Sequence, residues 1–174
     1  MSMARWKSLV TASAVLLVTT FVMGSADFPA NFDQRILAAQ NGERLELGLE
    51  PLIWNDALTR SAQNWADYLA ASGRFEHAPE KRSDPQGENL WAGTKGYYSP
   101  EAMVNAWARE KRFFQPGLFP NNSTTGEVED VGHYTQIVWR ATTQVGCAKA
   151  TSIHEDILVC RYAAAGNYIG EQPF

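Results

Sequence analysis

At 174 residues, 45% of them hydrophobic and 20% charged, the chain can build one domain with a substantial core and leaves little room for a second. Its formal charge is −4 and no basic block interrupts it, which argues against nucleic acid or an anionic membrane surface as the main partner.

In chain order, Arg5 and Lys7 precede a charge-free apolar run from Leu9 to Met23, and Gly24-Ser25-Ala26 supplies small residues for cleavage. This is the pattern of a secretory signal peptide over residues 1–26, with an uncleaved N-terminal anchor as the alternative. Loss of Arg5 and Lys7 takes the charge from −4 to −6. No other stretch approaches the roughly 20 apolar residues of a membrane span. Residues 27–174 then form a single domain destined for secretion or the periplasm, where Cys147 and Cys160 read as one disulfide.

Asn31, with Gln34 three residues on, caps a first helix that draws its apolar content from Ile36, Leu37, Ala38, Ala39, Leu45 and Leu47 and stops at Gly48; Gly42 weakens it. Asn55 caps a second, in which Leu58, Ala62, Trp65, Ala66 and Leu69 recur at helical spacing before Gly73. Ser99-Pro100 opens a third, expected to run to about Arg112. From Gln115 to Asp130, Pro, Gly, Asn, Ser and Thr predict a long surface loop, with overlapping glycosylation sequons at Asn121 and Asn122. The last third turns to β-branched and aromatic runs at Ile137–Trp139, around Val145, and from Ile157 to Tyr162. An antiparallel hairpin of 144–150 with 156–163 sets Cys147 opposite Cys160 and centres its turn between Ile153 and His154, inside polar Thr151–Asp156. Directly opposed residues lie within disulfide reach.

Few residues offer chemistry. His154 falls at the turn centre and reads as a solvated residue. Glu110 follows Met103 and Trp107 at helical spacing, so its carboxylate shares the apolar face: either the helix end frays into solvent or a donor, cation or metal waits there. Glu88, in GENLWAG, can accept hydrogen bonds from nearby backbone amides and fix a turn. His77 in FEHAPE and His133 in GHYTQIVW are singly more typical of packing or surface than of metal ligation, and neither lies in a local zinc motif.

Together, GHYTQIVWRATTQVGCA (132–148), CRYAAAGNYIGEQPF (160–174), GENLWAG (87–93) and QNGERLELGLEPLIWNDAL with its Asn41, Arg44, Gly48, Leu52 and Trp54 resemble the signatures of the CAP superfamily. These are the cysteine-rich secretory, antigen 5 and pathogenesis-related 1 proteins, built on the SCP domain, and the resemblance spans about Phe32 to Phe174. Gln40 stands where relatives often carry histidine, and Ala163-Ala164-Ala165 replaces a proline-bearing stretch. The resemblance implies an α+β fold, an α-β-α sandwich with a small antiparallel sheet between helical layers. It also implies a central cleft holding His77, Glu88, Glu110 and His133. Two neutral imidazoles, His77 and His133, can ligate zinc or another divalent metal, while the carboxylates hold water or orient the rings.

Three functions follow. The first is a monomeric, non-enzymatic binding module for a small apolar ligand such as a lipid or sterol, a peptide or a glycan. The second is a zinc-dependent peptidase or esterase with Glu88 or Glu110 as its catalytic candidate. The third is a structural extracellular module. The resemblance favours binding, since activity is only sporadic across such relatives, and the residues themselves show no obligatory nucleophile and define no substrate pocket.

Overall fold

The computed structural model describes residues 31–79 and 83–174; the expected signal peptide lies outside them. Asn31 starts α1 (Phe32–Glu46) through the capping box expected with Gln34, each side chain bonding the other's backbone. The stripe that α1 buries is Ile36, Gln40 and Arg44, while Leu45 is 77% exposed. After β1 (Ile53–Trp54), α2 (Asp56–Ser72) begins where the Asn55 side-chain oxygen accepts from the amides of Ala57 and Leu58. It ends at Gly73, whose left-handed φ of 68° costs glycine little.

GENLWAG is a strand and not the turn that Glu88 was expected to fix: β2 runs Gly87–Thr94. Ser99 caps α3 (Pro100–Ala108), which tightens into a 3₁₀ turn over Arg109–Phe113 instead of staying α-helical to Arg112. The 115–130 segment is ordered by bonds from the amides of Gln115 and Thr124 to the carbonyls of Asn122 and Phe113, at 2.9 and 2.8 Å. The C-terminal tail straps it through mutual bonds of 2.8 Å, Phe119 N to Glu171 O and Gly170 N to Phe119 O. Of the two sequons, Asn122 is buried and closed to a glycan, whereas Asn121 is exposed.

The strand expected at Ile137–Trp139 is absent. Gly132–Ile137 forms a short helix, α4, and Val138 and Trp139 continue into a turn. The physical reason is tertiary: Glu110 accepts the free amides at the start of α4, at 2.9 Å from His133 and 3.0 Å from Tyr134, which outweighs the β propensity of the run. The hairpin of β3 (Gln144–Thr151) and β4 (Glu155–Ala163) has the expected register throughout, with Cys147 opposite Cys160 and bonded to it at a Cα separation of 4.1 Å.

The sheet order is β1-β3-β4-β2, antiparallel apart from the two-residue β1, which pairs parallel to β3. Side-chain alternation divides the core. On one face Leu90, Ala148, Ala150, Ile157 and Val159 meet α2 through Ala62, Ala66 and Leu69. On the other, Val145, Cys147, Leu158, Cys160 and Tyr162 meet Ile36 of α1, Met103 and Trp107 of α3, and Ile137 of α4. The result is an α-β-α sandwich. Among the described residues no helix is long and apolar enough to cross a membrane.

Candidate functional site

Edge strand β2 organises the site, because successive residues face opposite sides. Glu88 points toward the α2 side with Leu90, where the segment after α2 brings His77 to it: His77 Nδ1 lies 2.6 Å from Glu88 Oε1, which also accepts the Ala78 amide at 3.1 Å. Asn89 points the other way. Its amide donates to the His133 carbonyl at 3.0 Å and to the Tyr162 hydroxyl at 3.2 Å, pinning the start of α4 beneath the strand.

On that side Glu110 comes from the 3₁₀ turn after α3. Its Oε1 lies 2.6 Å from His133 Nδ1, and its Oε2 takes the two α4 amides. The expected choice between a frayed end and a waiting donor is resolved in favour of donors. Trp107 stacks on the His133 ring with centroids 6.0 Å apart and planes 13° from parallel, and its own N–H donates to Leu90 O at 2.9 Å.

Each imidazole is therefore held at Nδ1 by a carboxylate, and among the described residues neither Nε2 has a hydrogen-bond partner. A carboxylate on one ring nitrogen with the other open is the arrangement that orients a metal-binding histidine. As a donor set it offers two nitrogens, since no group of three or more His, Cys, Asp or Glu gathers among the described residues. The open ring nitrogens are the chemistry a zinc ion would use, but the described residues do not gather into a metal-binding group.

The structure thus joins the four expected residues as two pairs, one on each side of β2. A cavity of about 920 Å³ opens on the α2 side and is lined by His77 and Glu88 but not by His133 or Glu110. His154 is exposed, as its place in the turn implied.

Sequence reasoning missed Arg161, which also lines the cavity. It is paired with Glu88 across β4 and β2, and its Nη2 lies 2.8 Å from Glu88 Oε2 in an ion contact whose angle is not that of a hydrogen bond. Burial lowers the Arg161 pKa, and the Glu88 charge works the other way. The signal for it was available: once the cysteines fix the hairpin, Arg161 adjoins Cys160 on the face opposite the disulfide. What the hairpin alone could not supply was the alignment of β2 with β4.

A three-layer sandwich with an exposed edge strand flanked by two histidine–carboxylate pairs is the class of molecule that fold and site define. The model of the cysteine-rich secretory protein family, CAP, matches residues 37–162, and the chain belongs to that family. It is 36% identical over 170 residues to the pathogenesis-related protein PR-1 of Medicago truncatula, covering 91% of this chain and 94% of that one. To pathogenesis-related protein 1A of Nicotiana tabacum it is 35% identical over 145 residues, 83% and 82% of the two chains. Among solved structures, NaASP2 with Zn²⁺ superposes with a TM-score of 0.70 at 21% identity, covering 81% of this chain and 83% of that one. BmVAL-1 does so at 0.66 and 23%, covering 82% and 81%.

Proposed function

We propose that this is a secreted, non-enzymatic ligand-binding protein whose oriented imidazoles, His77 and His133, are the groups that a divalent ion such as zinc would bind. Zinc would supply a Lewis-acidic, water-binding centre; this chain supplies the nitrogens and fixes their orientation. The observation that carries the reading is that each carboxylate serves an imidazole. Glu110 accepts from His133 Nδ1 and from two amides, and Glu88 is engaged by His77, Ala78 and Arg161. A general base needs an oxygen free to take a proton from water or substrate. Both oxygens of Glu110 are committed, and of Glu88 one is, its Oε2 being buried against Arg161 without a hydrogen bond; oxygens committed or buried in this way suit ring orientation better than hydrolysis.

Export fits the disulfide and the signal-like first 26 residues. The match to NaASP2, solved with Zn²⁺, supports zinc as the ion to test.

Calorimetric titration of residues 27–174 with zinc is the direct measurement. Saturable binding is expected, weakened at least about tenfold in both His77→Ala and His133→Ala. Absence of heat together with no change in thermal stability on adding metal would sink the metal site. Affinity unchanged from wild type in both variants would place the ion elsewhere.

A further inference from the structure

The cavity on the α2 side contains a group that the paired imidazoles do not use. The Arg161 side chain is 11% exposed, and its one polar side-chain contact among the described residues is the oblique approach to Glu88. Its Nε and Glu88 Oε2 are sealed from solvent without a hydrogen-bond partner among the described residues, so a ligand in the cavity can meet only the terminal N–H groups, whose one polar contact is that approach to Glu88. A guanidinium carries five N–H donors, and buried donors left unpaired are costly. The cavity lining is therefore incomplete as it stands.

The chemistry that completes it is constrained. A sterol or acyl chain against Arg161 would bury those donors without partners. An anion would have to share the space with the Asp84 and Glu88 carboxylates, which line it too. The need is for uncharged oxygen atoms that both accept and donate. The remaining walls agree with this. The Asn64 amide has no side-chain hydrogen bond among the described residues and faces the same space. Ser61 donates to Gln86 at 3.0 Å and Gln86 to Asp84 at 2.9 Å, which leaves carboxylate lone pairs of Asp84 open. Trp65 is fixed by a stack on Tyr68, with centroids 4.7 Å apart, and by its N–H to Glu76 O at 3.1 Å. An indole held this way offers dispersion contact to a flat C–H surface without losing side-chain entropy on binding.

From this juxtaposition of Arg161, Asn64, Asp84 and Trp65 around one cavity, we infer that its ligand is a neutral oligosaccharide. Sugar hydroxyls take the donors of Arg161 and Asn64 and give protons to Asp84, while the C–H face of one ring lies on Trp65. A volume of about 920 Å³ accommodates several sugar units, at the upper end of the ~300–1,000 Å³ of small-molecule pockets. The inference rests on the ligand-binding half of the proposed function and is independent of the metal.

Its test is tryptophan fluorescence and saturation-transfer NMR with tetrasaccharides of glucose, N-acetylglucosamine and xylose, each at up to roughly 10 mM, beside a blocked neutral tetrapeptide and palmitate. Saturable binding of at least one tetrasaccharide is expected, weakened at least about tenfold in Arg161→Met and unchanged in Tyr97→Ser, an exposed tyrosine outside the cavity lining. Because Arg161→Met removes a buried charge and can unfold the chain, the exposed Asn64→Leu is the second variant, also expected to weaken sugar binding. Sugar affinity indifferent to both variants would overturn the assignment. So would peptide or palmitate binding without sugar, although ligand binding would then stand. If no probe binds, the sugar assignment and ligand binding fall together, while zinc calorimetry on the same sample reports separately whether the metal site survives.

Discussion

Arg44 is 1% exposed and all its hydrogen bonds go to carbonyls: Glu50 at 2.7 Å, Ile137 and Trp139 at 2.9 Å, and Thr142 at 3.0 Å. Three of these acceptors are released where α4 ends and the chain turns toward β3, and a planar five-donor group can serve all four from one point. Burial lowers its pKa without threatening its charge. Replacing it by methionine keeps the bulk and strands the carbonyls, so Arg44→Met should lose roughly 3 kcal/mol or more in urea unfolding. Arg44→Lys should recover only part of this, because an ammonium cannot span the same acceptors. A loss below about 1 kcal/mol would mean that water replaces the guanidinium. Gln40, one turn earlier, is likewise buried, accepting from the Tyr162 hydroxyl at 2.8 Å and donating toward both cystine sulfurs at 3.6 and 3.8 Å. These two residues explain why α1 was legible from its caps but not from its face. Of the apolar residues expected to serve it, Ile36 is buried but Leu45 and Leu47 are exposed, and the rest of the buried stripe, Gln40 and Arg44, is polar.

At the level of elements, the hairpin was legible because the cysteine pair fixes its register, and α2 because cap, spacing and stop agree. α4 was not, since no local side chain caps it and its capping group, Glu110, arrives from 23 residues upstream. Distance along the chain likewise separated the histidines from their carboxylates: the four residues were identified by motif, but only the alternation of β2 shows that they form two pairs. Asp156 illustrates another long-range tie. It is 1% exposed and joins the far end of the hairpin to the turn after β2, accepting from Thr151 at 2.6 Å and from Gly96 N and Lys149 at 2.9 Å. Burial pushes its pKa up, but these donors more than offset that, and the net shift is downward from 3.8. A depressed folded pKa stabilises the native state above the unfolded value and loses that contribution as pH falls through the folded one. Asp156→Asn should therefore destabilise by about 1–3 kcal/mol at pH 7. The gap to wild type should narrow as the pH drops below 3.8, and a gap constant from about pH 7 to 2 in chemical unfolding would contradict this.

Across the whole molecule the two core layers differ in thickness. The α1/α3/α4 side is filled by Trp107, Tyr134, Leu158 and Tyr162, whereas the α2 side relies on Ala62, Ala66, Ala148 and Ala150. Small residues let α2 approach the sheet closely, and Gly146 marks the limit. A Cβ there would collide with the backbone N of Thr59 and lie 2.5 Å from the Asn55 carbonyl and 2.7 Å from Leu58 Cβ, with backbone that cannot rotate aside. Gly146→Ala must lift the start of α2 from β3, at an expected cost of roughly 3 kcal/mol. Gly42, in the body of α1 with nothing within 4 Å of the place a Cβ would take, is the control: Gly42→Ala should stabilise by about 0.5–1 kcal/mol through the entropy of the unfolded chain. The consequence reaches the site, because α2 leads directly into the segment carrying His77, while Glu88 stays on the sheet. Displacing one from the other should weaken zinc binding in Gly146→Ala, and Gly42→Ala should leave it unchanged. If Gly146→Ala unfolds at the wild-type urea concentration, α2 has room to spare, and the close approach of helix to sheet does not set the distance between His77 and Glu88.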